Sequence, residues 1–172
     1  MKKLVLLIAF SLPSLASAHA VLEQKEVETG SYYKAVLGIG HGCDGATTTK
    51  ITIELPEGVH RAKPMPKAGW QVETVVESIA IPYTSYGKQV TEDVTKIIWS
   101  GGELLDSHFD EFVFKAKIDA QPQTLFFTTK QQCAVGEINW AEIPAKGKTT
   151  HDYKYPAPAL KVINKTKSGH HH

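Results

Sequence analysis

Tyr32-Tyr33-Lys34-Ala35-Val36-Leu37-Gly38-Ile39-Gly40-His41 decides the fold. Tyr33, Ala35, Leu37 and Ile39 recur at every second position, and His41 continues their row. Gly38, Gly40 and then Gly42 fall on the other face, where a neighbouring backbone or side chain can approach closely. Period-two alternation rich in aromatic and β-branched residues describes a half-buried β-strand.

The same pattern recurs outward from this stretch. Thr47 to Leu55 reads as a strand with Ile51, Ile53 and Leu55 inward and Lys50, Thr52 and Glu54 outward. Glu111 to Ile118 places Phe112, Phe114, Ala116 and Ile118 on one face. Val21 to Val27, Gln71 to Ile81, Val94 to Trp99, Leu125 to Thr129 and Gly136 to Ile143 read as further strands. Turn signals separate them at Glu28-Thr29-Gly30-Ser31, Gly42-Cys43-Asp44-Gly45, Pro56-Glu57-Gly58, Ser100-Gly101-Gly102 and Gln121-Pro122. Residues 62–70 carry prolines at 64 and 66, which exclude a helix; they read as an extended crossing anchored by Trp70. Eight or nine short strands without an amphipathic helix predict an all-β fold, an immunoglobulin-like antiparallel β-sandwich.

The first residues carry a different signal. Met1-Lys2-Lys3 precedes an apolar run from Leu4 to Phe10 and a small-residue junction, Ala16-Ser17-Ala18. This is the pattern of a secretory signal peptide over 1–18, cut before His19; the run is too short to cross a membrane. Removing 18 of the 172 residues leaves 154, the size of one domain. The whole chain has 19 basic and 18 acidic residues. Taking away Lys2 and Lys3 makes the remainder net −1 with histidine neutral. That balance argues against a nucleic-acid partner, and no later apolar run is long enough to span a membrane. The expected location is outside the cytoplasm, in the periplasm of a Gram-negative bacterium. The domain reads as 19–145. Residues 146–172, rich in Lys, Thr and Pro, read as a loosely held tail. His170-His171-His172 is either a purification-tag remnant or the native end.

Cys43 and Cys133 are the only two cysteines. In an exported protein such a pair forms a disulfide; a pair of thiolate metal ligands is the rival reading.

Cutting before His19 also changes its chemistry. It frees an α-amine beside an imidazole, and one residue then offers two nitrogens to one metal ion. His41 stands at a strand end, where functional residues concentrate. Asp106-x-His108-x-Asp110 is a weaker metal pattern in a polar loop. His60, His108 and His151 read as surface residues, and Trp70 and Trp99 as core.

Several stretches together carry a resemblance. They are Gly30-Ser31-Tyr32, Gly42-Cys43-Asp44-Gly45-Ala46-Thr47-Thr48-Thr49-Lys50, Leu55-Pro56-Glu57-Gly58-Val59, Pro64-Met65-Pro66-Lys67-Ala68-Gly69-Trp70, Ile97-Ile98-Trp99-Ser100-Gly101-Gly102 and Trp140-Ala141-Glu142-Ile143-Pro144, beside a histidine at the expected mature terminus. From His19 to Pro144 the chain resembles the YcnI-like family of exported β-sandwich domains. The resemblance implies a copper(II) site in which the mature N-terminal histidine gives amine and imidazole, a glutamate adds an oxygen, and a tryptophan sits against the metal. His19 and Trp140 match two of these positions. The glutamate's place falls at Cys43, with His41 two residues earlier, so either His41 or Asp44 takes over its role. Copper(II) favours a tetragonal set of nitrogen and oxygen donors, which His19 and His41 would supply.

Three functions follow as expectations. The first is a copper(II)-binding protein without turnover, for storage, delivery or sequestration, exchanging the ion with other copper-handling periplasmic proteins. The second is an oxidative enzyme built on a histidine brace, the arrangement of lytic polysaccharide monooxygenases. The third is a metal-free interaction or adhesion sandwich. Tyr83, Tyr86, Tyr153 and Tyr155 are the aromatics available for a substrate face in the second.

Overall fold

A computed structural model describes residues 19–165. The signal peptide expected over 1–18 and the histidines at 170–172 lie outside the described residues.

Twelve strands and one 3-10 turn are formed: β1 (Val21–Leu22), β2 (Glu26–Glu28), β3 (Ser31–Ile39), β4 (Thr48–Glu54), β5 (Val59–Pro64), β6 (Gln71–Ser85), β7 (Lys88–Leu104), β8 (Asp110–Ile118), β9 (Thr124–Phe126), β10 (Thr129–Cys133), β11 (Glu137–Trp140), the 3-10 turn Thr150–Asp152, and β12 (Ala159–Ile163). A four-stranded sheet runs β1-β3-β8-β5 and a five-stranded sheet runs β11-β10-β4-β7-β6. A strip of β2-β12-β9 makes a third sheet. Among the named strands, every pairing is antiparallel except β2 with β12. The fold is the immunoglobulin-like all-β sandwich that the alternation predicts.

The core lies where the predicted rows meet. Tyr33, Ala35, Leu37 and Ile39 of β3 are buried, as are Phe112, Phe114, Ala116 and Ile118 of β8, directly across the ladder. Ile51 and Ile53 of β4 and Ile97 and Trp99 of β7 face them from the other sheet. Trp99 meets Phe112 edge-on at 5.6 Å, one of the contacts that joins the layers. Each such side chain removed from water contributes about 1.5–3 kcal/mol before the entropy of ordering it is subtracted.

Four expectations are corrected. Residues 62–70 are not one crossing, because β5 runs to Pro64 along β8. β7 does not stop at Ser100-Gly101-Gly102 but continues to Leu104. His60 is not on the surface. Its side chain is only 12% exposed and stacks on Tyr83 with ring centroids 4.0 Å apart. Burial holds its pKa below the ordinary value, against the opposing pull of Asp93.

The fourth correction concerns the tail. β12 pairs with both β2 and β9, and its Leu160 and Val162 are buried. The domain therefore continues through β12, and a boundary at 145 does not stand. Composition hid this because Lys and Pro dilute the preceding stretch, while β12 itself alternates Leu160 and Val162 inward.

Trp-Ser-Gly-Gly at 99–102 has a steric reason. A Cβ at Gly102 would lie 2.1 Å from the Trp70 indole, which packs close against that backbone. Trp70 in turn meets Phe112 edge-on at 5.0 Å. Gly102→Ala is therefore expected to displace Trp70 and lower the unfolding free energy by about 1–3 kcal/mol, the usual cost of overpacking. Urea denaturation followed by tryptophan fluorescence measures it.

Candidate metal centre

The first strand pair sets the position of His19. Val21 of β1 lies opposite Gly38 of β3, and Leu22 opposite Leu37. Ala20 and Leu22 are buried, which pins the chain immediately after His19. Continuing that register sets His19 across from Gly40, one residue short of His41.

His41 follows the end of β3 on a loop clamped at three points. The Gly42 N–H donates to Asp106 Oδ1 at 2.8 Å. The His41 carbonyl accepts from Gln131 Nε2 at 2.7 Å. Cys43 is disulfide-bonded to Cys133, with Cα atoms 6.0 Å apart, so the two cysteines pair as expected. Glycine is required at 42, where a Cβ would stand 1.9 Å from the Ala46 carbonyl oxygen.

The His41 ring is oriented too. Its Nδ1 lies 2.6 Å from the Gly42 carbonyl oxygen. A carbonyl can only accept, so in the neutral ring the proton sits on Nδ1 and Nε2 keeps the lone pair. This is how a metal-ligating imidazole is usually fixed, with one nitrogen bonded to the backbone and the other left as donor.

Trp140 packs against both histidines. Its ring meets His41 at 5.8 Å and His19 at 6.3 Å, both edge-on. Tyr155 packs against it at 5.5 Å. Trp140 is 2% exposed, and its indole N–H donates to Gln131 Oε1 at 2.9 Å. Gln131, fully buried, also donates from Nε2 to Thr48 Oγ1 at 2.8 Å. One buried amide thus ties together the Trp140 ring, the His41 backbone and β4.

Sequence reasoning missed Gln131. The one available signal is its position two residues before Cys133, on the same face of the strand. From the sequence, His151 reads as a surface residue. It is exposed, but the turn Thr150–Asp152 brings its ring within 6.5 Å of the His19 ring. Desolvation, followed by the charges of His151 and His41, holds the His19 imidazole below its ordinary pKa. Burial and the neighbouring charges thus favour the neutral ring that a metal needs.

The other candidates stand apart. Asp44 sits in a left-handed conformation (φ 49°) at the exposed tip of the turn between Cys43 and Ala46, where its charge is felt by Lys154. Asp106 is committed to Gly42, and Asp110 to Lys67 Nζ at 2.6 Å. Asp106, His108 and Asp110 therefore do not act together.

Among the described residues no group of three or more His, Cys, Asp and Glu is arranged to hold a metal ion as it stands. The α-amine is a donor only after cleavage before His19; in the uncut chain that nitrogen is an amide. The residues present nonetheless suit copper(II). One histidine would offer a chelating pair of nitrogens, a second has its lone pair fixed on Nε2, and a buried indole covers one side.

The family profile for a domain of unknown function, DUF1775, matches residues 19–162. The chain belongs to the DUF1775 family. The match begins at His19 and runs into β12, in keeping with a domain that includes the last strand. No curated protein matches the sequence. Among solved structures, this DUF1775 domain is similar to an uncharacterized protein from Nocardia farcinica with an immunoglobulin-like fold. The TM-score is 0.65 at 19% sequence identity, covering 86% of this chain and 99% of that one. At that identity the similarity speaks to the fold alone.

Proposed function

We propose that this DUF1775 domain is an exported copper(II)-binding protein of the YcnI-like type, which stores, delivers or sequesters the ion in the periplasm. A signal peptidase cuts after Ala18. The new α-amine and the imidazole of His19 bind one copper(II), and His41 Nε2 supplies a further nitrogen in place of the glutamate expected near Cys43. Trp140 limits water access to one face. Asp44 is left out of this donor set because it lies at an exposed turn tip beside Lys154.

The observation that carries the reading is that His19 and His41 both pack against one buried indole, with His41 Nδ1 bonded to the Gly42 carbonyl. The same pair of imidazoles keeps a histidine-brace oxidative enzyme as the second reading. Reductant-dependent oxidation of a polysaccharide by the copper-loaded protein would favour that reading over passive binding.

The chain beginning at His19 is expected to take up one copper(II), with quenching of tryptophan fluorescence. To remove a competing metal-binding run, His170, His171 and His172 are replaced by alanine. Protons compete for both His19 donors, so affinity falls as pH falls. Loss begins below about 8, where the amine protonates. The imidazole adds to the loss only below about 6.5, because its pKa is lowered. An affinity that is flat between pH 8 and 5 contradicts the amine chelate.

A further inference from the structure

We infer that His151 is a third imidazole of the same site, carried to it by the excursion of chain that follows Trp140. The inference rests on the copper reading above. It concerns a residue 110 positions from His41, on a segment whose composition reads as tail.

The excursion is a built element. At its base, the Ala141 and Glu142 N–H groups donate to the Tyr155 carbonyl at 3.0 and 3.1 Å, and the Ala157 N–H donates back to the Glu142 carbonyl at 2.9 Å. The chain from 143 to 154 thus leaves and returns at one point. Tyr155 presses that point against Trp140, and Ala157 is buried. Inside the excursion, the Ala145 N–H donates to the Tyr153 hydroxyl at 2.9 Å. At the tip, the Thr149 N–H and hydroxyl both donate to Asp152 Oδ2, at 2.7 and 3.1 Å. This capping box closes the turn Thr150–Asp152 and commits the Asp152 carboxylate, leaving His151 as the residue of the turn that offers a metal donor.

The distance is close to what shared ligation needs. A metal–imidazole nitrogen bond is about 2.0 Å, so two rings on one ion have centroids no more than roughly 6 Å apart. The His19 and His151 rings stand 6.5 Å apart with planes inclined by 41°. His151 is exposed, so its side chain has room to turn toward the His19 ring. The stoichiometry of donors points the same way. His19 and His41 give three nitrogens, and tetragonal copper(II) takes a fourth in its plane.

The test compares copper(II) titrations and electron paramagnetic resonance spectra of the chain beginning at His19, again with His170, His171 and His172 replaced by alanine. The parent, His151→Ala and His108→Ala are measured side by side. The parent is expected to show superhyperfine splitting from four nitrogens. His151→Ala is expected to show three and to bind about 10–100-fold more weakly, the range known for groups that support a metal site. His108→Ala should match the parent, and all three should melt at the same temperature. A parent that binds one copper with a spectrum and affinity unchanged in His151→Ala overturns this inference and leaves the His19 site standing. A parent that binds no copper overturns the underlying reading and this inference with it.

Discussion

Replacing Cys43 and Cys133 together by alanine is expected to lower the unfolding free energy by about 4–5 kcal/mol, as the chain-entropy treatment gives for a loop of this length. The two cysteines are 90 residues apart in sequence, and the loop they close contains β4 to β10. Without the bond, the unfolded chain regains the freedom of that whole loop. The folded state also loses one of the three clamps on the segment that carries His41. Urea denaturation of the oxidised parent and the double variant measures the difference. A change below about 1 kcal/mol would show that the bond only decorates a loop already fixed by hydrogen bonds.

Gln131→Leu is expected to cost about 3–5 kcal/mol, because three partners, two of them buried, lose their hydrogen bonds together, each at about 1–3 kcal/mol. Those partners are the Trp140 indole, the His41 carbonyl and the Thr48 hydroxyl. Leucine fills similar space, so the loss reports polarity rather than a cavity. Gln132→Leu, the neighbour on the opposite face of β10, should stay within about 0.5 kcal/mol of the parent. If both variants can be folded, copper affinity should fall in Gln131→Leu by about 10–100-fold, as for other groups that orient metal ligands. Equal stabilities for the two variants would contradict the hub assigned to Gln131.

Particular strands show what was legible in the sequence and why. β3, β4 and β8 each bury one clean hydrophobic row, so period two announces them. β10 buries Thr129 and Gln131 instead. Its inward row is polar, the alternation disappears, and the element that organises the site is invisible. β6 and β7 extend as a long hairpin whose outer part is mostly exposed, which leaves no hydrophobic row to mark its length. β12 depends on partners far away in sequence, including a parallel one, and no local turn foretells that.

The site divides in the same way. His19, Trp140 and the Cys43–Cys133 bond could be named from the termini, the resemblance and cysteine arithmetic. His41 could be named only as one of two alternatives with Asp44. The lone pair on its Nε2 depends on a carbonyl one residue away and becomes evident only once the loop has folded. His151 looked like a solvated residue because the return of 141–157 onto Trp140 leaves no mark in composition.

The most direct measurement of the central claim adds one residue. Two forms of the chain, one starting at His19 and one starting at Ala18, are titrated with copper(II) at pH 7.5, with the terminal histidines replaced in both. The second form keeps every side chain and converts the His19 amine into an amide. Its affinity is expected to fall at least about 100-fold, beyond what loss of a supporting contact produces. Equal affinity in the two forms would contradict an N-terminal copper site.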